Sequence, residues 1–211
     1  MKIALIGADG QLGSDLMKTI KGEDVAPLYY PDFDITQPEK TREVLSRLQM
    51  DLVINTAAFH RVDECEDKPE ISFLVNSLAV RHLSLICKEL ECVLIHFSTD
   101  YVFDGKKGKP YVEEDAPHPL NVYGVSKLAG EYFVRNILER HFIIRSCGLY
   151  GEAGCLEKGA NFVDTMISLA EKGKTLRVVN DQWVTPTSSA ELAQRINELI
   201  HTDHYLSLIH I

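Results

Sequence analysis

The chemistry open to this 211-residue chain is concentrated in three short stretches. The first is Tyr123-Gly124-Val125-Ser126-Lys127, in which a phenol and an amine stand four residues apart. Residues so spaced share one face of a helix. A free phenol, with a pKa near ~10, is a poor acid or base at neutral pH, and a neighbouring cation favours its charged form. The pair could therefore serve general acid–base catalysis. A packed ring beside a solvated amine shows the same spacing, so the pair alone decides nothing. The second stretch, Ser98-Thr99-Asp100-Tyr101-Val102-Phe103-Asp104-Gly105, follows directly on the apolar run 92–97. Two hydroxyls, a carboxylate and another tyrosine crowd the end of a strand there, either as a turn that satisfies its own backbone or as a site. The third, Gly7-Ala8-Asp9-Gly10-Gln11-Leu12-Gly13, is a G-x-x-G-x-x-G between an apolar run and a helical pattern. Glycines in that setting permit a tight turn, let the backbone approach a pyrophosphate at a helix N-terminus, and allow close helix–strand packing.

Such stretches act together only if a frame brings them together. Apolar runs at 3–6, 52–54, 93–97 and 142–144 are continuous rather than alternating, as in strands buried on both faces of a parallel sheet. Helix-period patterns occupy 11–21, 38–48, 72–90 and 120–138. Strand alternating with helix predicts an α/β fold with a doubly wound parallel sheet. The expected division is a dinucleotide-binding Rossmann domain over 1–145, the start of a smaller, truncated substrate lobe over 146–205, and a tail at 206–211. That tail, Leu206-Ser207-Leu208-Ile209-His210-Ile211, reads either as a short strand or, by preference, as a non-native addition. The acidic residue that would hold a ribose falls ~20 residues beyond the glycine loop, where Asp32 and Asp34 stand. Neither sits cleanly at a strand end and no arginine adjoins them, so NADH and NADPH both remain open.

Bulk properties remove other classes. A net charge of -9 opposes a nucleic-acid backbone but not a small anion held by loop amides. No apolar run approaches the ~20 residues that span a bilayer, and the apolar start is broken by Gly7 too soon for a signal peptide. The expectation is a soluble, cytoplasmic protein without nucleic-acid or membrane partners. Five scattered cysteines without a C-x-x-C pair suggest neither a disulfide framework nor zinc. Residues 60–67 read as a solvated acidic helix face and 201–204 as a surface loop, so no metal is assigned.

Taken in order, the glycine loop, Asn55-Thr56-Ala57-Ala58, the octapeptide 98–105 and Tyr123 to Lys127 resemble the extended short-chain dehydrogenase/reductase superfamily, and within it the dTDP-4-dehydrorhamnose reductase family. The likeness continues through 145–151, 161–166 and 179–187, and so covers about residues 1–205. It implies a Tyr123 proton donor, Lys127 as its electrostatic partner and ribose contact, and Thr99 as the hydroxyl on the substrate's C4 carbonyl oxygen. Gly7, Gly10, Gln11 and Leu12 would cradle the cofactor pyrophosphate, Asp34 and Ile35 would contact the adenosine side, and Ala57, Ala58 and Phe59 would border the cofactor. Phe97, Ser98 and Asp100 would floor the pocket, with Ser98 and Asp100 on the substrate. Tyr101 to Phe103 read as packing and Asp104-Gly105 as a turn.

The implied reaction is NAD(P)H-dependent reduction of a dTDP-4-keto-6-deoxy sugar to dTDP-L-rhamnose, with a homodimer as the candidate assembly. Two departures accompany it: the family's further carboxyl-terminal stretch does not follow here, so sugar binding is expected to suffer more than cofactor binding, and Trp183 is unusual for its position. Two other readings stay open, a non-catalytic subunit resembling the β subunit of methionine adenosyltransferase, and a related sugar-nucleotide epimerase or dehydratase.

Overall fold

Strands form where the chain is apolar on both faces, and helices where the apolar positions fall on one. In the computed structural model, which describes residues 1–152, 162–178, 180, 184–202, 205 and the backbone of 207–210, the order begins β1 Lys2–Ile6, α1 Gln11–Thr19, β2 Asp24–Leu28, α2 Pro38–Leu48 and β3 Leu52–Asn55. Then follow α3 Val62–Asp67, α4 Pro69–Phe73, a π-helical turn Leu74–Leu78, α5 Ala79–Glu89, β4 Val93–Thr99, a 3-10 turn Asp100–Val102, α6 Val122–Ile137 and β5 His141–Ser146. The last elements are β6 Leu149–Tyr150, α7 Phe162–Glu171, β7 Thr187–Ser188, α8 Ser189–Leu199 and β8 Ser207–His210.

Six strands make one sheet in the order β2-β1-β3-β4-β5-β8, every neighbouring pair parallel. The chain lays β2 on one side of β1 and β3 on the other, so the order reverses between β1 and β3. The crevice outside the carboxyl ends there is where open parallel sheets take ligands. Alternate residues of each strand feed two cores. Ala4, Ile6, Val53, Leu94 and Ile143 pack with Leu45, Val80, Leu83, Ile86 and Val134 from α2, α5 and α6. Ile3, Leu5, Ile54, Ile95 and Phe142 pack on the opposite face with Leu12, Leu16, Leu192 and Ile196 from α1 and α8. Helices on both faces of a parallel sheet are the doubly wound arrangement. At about 25 cal/mol per Å2 of apolar surface removed from water, these two layers are the main source of stability.

Three features depart from the sequence pattern. Strand β2 carries Pro27 and only partly buried residues, so it lacks the continuous apolar signature, and it survives at the edge where one face of hydrogen bonding is not needed. The long helical pattern at 72–90 begins earlier, at Pro69, and contains the π turn. Residues 69–89 are long and apolar enough, by length and composition, to cross a bilayer, yet half of the stretch is buried within the fold, where it supplies the α5 side of the first core. Within 146–205, α8 contributes to the same core as α1, and the Ser189 hydroxyl donates to the buried Asp15 carboxylate at 2.6 Å. The backbone of 207–210 extends the sheet beside β5.

Candidate active site

The glycine loop sits at the end of β1 because β1 is pinned on both sides. Gly7 has φ 74°, the left-handed region, and a Cβ there would lie 2.6 Å from Thr56 Oγ1. Only glycine meets both conditions without strain. Its N–H donates to the Leu28 carbonyl at 2.9 Å, and the Gly10 N–H donates back to the Gly7 carbonyl at 3.0 Å. Thr56 in turn donates its hydroxyl to Ile6 O at 2.7 Å, which joins the loop to the end of β3. Gln11 opens α1, whose first-turn amides have no intrahelical acceptor. Its Nε2 is buried and, among the described residues, has no hydrogen-bond partner. Leu12 is in the core, so its side chain cannot reach a ligand and its backbone N–H is what it offers to the crevice.

The segment after β3 forms the opposite wall. Ala57, Ala58 and Phe59 are half-buried, with Ala57 N donating to Asn55 Oδ1 at 3.2 Å. Phe59 is gripped by a residue that the motif reading missed: Asn76 Oδ1 accepts from Phe59 N at 2.9 Å and Asn76 Nδ2 donates to Phe59 O at 2.8 Å. Asn76 Nδ2 also reaches Ser126 Oγ at 3.1 Å, the residue before Lys127. No sequence signal marks it: it stands in the π turn, a feature that gathers at functional sites but that shows only in the structure. Asp34 lies past β2 and accepts at Oδ1 from the Thr36 N–H and hydroxyl at 2.9 and 2.8 Å. Ile35 beside it is buried in the core.

Strand β4 brings Phe97, Ser98 and Thr99 to the same end of the sheet, all three buried. Among the described residues Ser98 Oγ has no hydrogen-bond partner. Thr99 is the cap of the 3-10 turn: its hydroxyl accepts from Tyr101 N at 3.2 Å and donates to Asp100 Oδ1 at 3.0 Å. Asn121 caps α6 by accepting from Gly124 N at 2.7 Å, and a Cβ on Gly124 would run into the Tyr101 carbonyl. That close approach sets Tyr123 against the octapeptide.

Two expectations change here. Tyr101 is not core packing: it is 40% exposed, and its ring meets that of Tyr123 edge-on, with centroids 5.7 Å apart at 74°. Val102 and Phe103 are buried as expected. Nor does Lys127 bring the phenol down. Desolvation raises Tyr123 well above the ordinary phenol range, hydrogen bonding to Thr99 opposes the rise, and the Asp100 carboxylate adds to it. Lys127 itself is buried, 2% exposed, and desolvation lowers its pKa to about 8 against the partial support of Glu131. Among the described residues no carboxylate lies within ion-pairing distance of its amine. The site thus holds a phenol that burial keeps neutral and a lysine that burial lowers to about 8.

The residues suit a dinucleotide: a positive-φ glycine turn, free first-turn amides and the orphaned Gln11 Nε2 stand on one wall, and the orphaned Ser98 Oγ on the floor. The family model described as RmlD substrate binding domain matches residues 1–210. The chain belongs to that family. The dTDP-4-dehydrorhamnose reductase of Escherichia coli (strain K12) is 38% identical over 92% of this chain and 64% of its own length. The spore coat polysaccharide biosynthesis protein SpsK of Bacillus subtilis (strain 168) is 37% identical over 94% of this chain and 69% of its own. The chain therefore spans about two thirds of the length of these relatives. The crystal structure of dTDP-4-dehydrorhamnose reductase from Bacillus anthracis in complex with NADP superposes with a TM-score of 0.94 at 34% identity, over 99% of this chain and 74% of that one. The family resemblance read from the motifs is borne out. Asn161, Val179, Asp181, Gln182 and Trp183, which belong to the later matches, lie outside the described residues, as do Cys155, Asp203 and His204.

Proposed function

We propose that this chain is a reductase that passes hydride from NADPH or NADH to the C4 carbonyl of dTDP-4-dehydro-6-deoxy-L-mannose, giving dTDP-L-rhamnose. The observation that supports the proposal is the hydrogen bond between Thr99, at the carboxyl end of β4, and Tyr123 of α6, with Lys127 one turn further along that helix, in a chain of this family. The nicotinamide, when bound, supplies the hydride. Gly7, Gly10, Gln11 and the Leu12 amide would hold the pyrophosphate against the positive end of α1. Ala57, Ala58 and the Phe59 backbone fixed by Asn76 would limit the cofactor on the β3 side.

Hydride addition to a ketone builds negative charge on oxygen, and positioned donors stabilise that charge. Thr99 would turn its hydroxyl from Asp100 to the carbonyl oxygen, and Tyr123 would donate its proton as the alkoxide forms. The raised phenol suits this direction of reaction. It keeps its proton until a stronger base, the alkoxide, takes it. The phenolate left behind would be stabilised by the Lys127 ammonium. The reading is tested by mixing the protein with the keto sugar nucleotide and either reduced cofactor and following the cofactor's absorbance: stoichiometric oxidation is expected. An epimerase or a binding subunit would leave the reduced cofactor unconsumed, and that result would remove the proposal.

A further inference from the structure

Tyr123, Lys127 and Glu131 follow one another at four-residue intervals along α6 and so share a face. Glu131 is 0% exposed and meets Arg145 of β5 in a two-point ion pair, Arg145 Nε to Oε1 at 2.8 Å and an Arg145 terminal nitrogen to Oε2 at 2.6 Å. Of the ion pairs among the described residues, this one has both side chains almost wholly out of solvent. Burying two charges is costly, and an apolar pair of the same volume would usually be as stable, so the arrangement calls for a reason beyond stability. Its position supplies one. Arg145 stands opposite Ser98 in the β4–β5 register, and Ser146 opposite Thr99. The pair ties the helix that carries Tyr123 and Lys127 to the strand beside Thr99.

The tie also has an electrostatic consequence. A free glutamate one turn from a buried lysine would swing to it and pair directly, consuming the donors of the ammonium. Arg145 holds both oxygens of Glu131 instead, and the Lys127 amine has no carboxylate within 4 Å among the described residues. We propose that Glu131, anchored by Arg145, is a positioning residue that keeps Lys127 an ammonium at neutral pH while leaving its N–H donors to the site. This rests on the reductase reading for its purpose, though not for its electrostatics.

The other charged or titratable groups around Lys127 do not replace Glu131. His96 of β4 is buried and held neutral, well below the ordinary imidazole range, first by desolvation and then by Lys127 itself. Tyr123 on α6 and Tyr101 in the 3-10 turn are raised by desolvation and bring no charge at neutral pH. Cys65 of α3 is a buried thiol. Arg135 on α6 reaches Glu131 Oε2 at 3.4 Å and adds positive charge. Asp100, the carboxylate of the 3-10 turn, acts on Tyr123 and accepts from Thr99.

The test reads Lys127 directly. Protein carrying 13C-labelled lysine is titrated by NMR, with the Lys127 signal assigned by its loss in Lys127→Arg. Glu131→Gln and the double variant Glu131→Gln/Arg145→Met are compared with the parent and with Glu131→Asp. The double variant removes both charges of the Glu131–Arg145 pair together, so neither is left buried without the other, and it keeps the fold if the single one does not. A fall of about one pH unit or more in the Lys127 midpoint is expected in each variant that lacks the carboxylate, and a parent-like midpoint in Glu131→Asp. An unchanged midpoint in the folded double variant would overturn the proposal. The alkaline limb of cofactor oxidation, measured in parallel, is expected to move with the midpoint. If the midpoint moves while the parent shows no turnover, the reductase reading fails and the electrostatic role of Glu131 stands.

Discussion

At the scale of single residues, the site combines a phenol raised by burial with a lysine lowered by it, and both directions bear on function. Tyr123→Phe removes the proposed proton source and Thr99→Val a donor to the developing alkoxide. Each is expected to lower kcat by about 10²- to 10⁴-fold with cofactor binding unchanged, measured by initial rates and by cofactor fluorescence titration. Lys127 carries a stability cost as well. Its pKa falls from 10.5 to about 8, so the folded state disfavours the charged form by about 3 kcal/mol at neutral pH. That cost is fully present below pH 8 and fades as pH rises to the unfolded value of 10.5, because the unfolded chain then loses its proton too. Lys127→Met is therefore expected to raise the thermal midpoint at pH 7 but not at pH 10.5, while activity is lost. Of these residues, Tyr123 and Lys127 were visible as a spaced pair that decided nothing alone, and Thr99 took its role only from the family resemblance. Tyr101 was misread because a tyrosine among apolar neighbours looks like core, whereas the 3-10 turn rotates it out against Tyr123.

The elements were legible in proportion to how closely they obey one period. Strands β1, β3, β4 and β5 are continuous apolar runs and were found nearly at their bounds, whereas β2, with Pro27 and partial burial, has no such run. The π turn was invisible because its apolar spacing merges with those of α4 and α5, and with it went Asn76. That residue satisfies both backbone groups of Phe59 and reaches Ser126, so it joins the wall after β3 to α6. Asn76→Ala would leave the Phe59 N–H and carbonyl without these partners. A loss of about 1–3 kcal/mol is expected by urea unfolding, together with weaker cofactor binding. Wild-type stability in the variant would show that the clamp is not needed to hold the wall.

For the whole molecule, two cores on either face of one parallel sheet leave His96 buried between β3 and α6, its Nδ1 3.4 Å from Asn55 Nδ2. A neutral buried imidazole makes the fold acid-sensitive. The unfolded chain takes up a proton as pH falls through about 6.5 and the folded one does not, so stability falls below that pH with a slope of up to about 1.4 kcal/mol per unit from this group. His141, also lowered by desolvation, acts in the same sense. Urea midpoints between pH 7 and 5 should show the decline, and His96→Leu should reduce it; an equal decline in both proteins would assign it elsewhere. The overall fold was readable because alternation of strand and helix is a property of long segments, whereas β6, β7 and α7 rest on two-residue pairings or on exposed apolar faces that leave little pattern in the sequence. The central claim is that the wall after β3, the glycine loop and the Thr99–Tyr123–Lys127 group act together as a reductase. It is tested most directly by supplying reduced cofactor deuterated at the transferable position of the nicotinamide with the 4-keto sugar nucleotide, and locating the label in the product. Deuterium on sugar C4, with one cofactor oxidised per product, is the predicted result; an unlabelled sugar, or no oxidised cofactor, would contradict it.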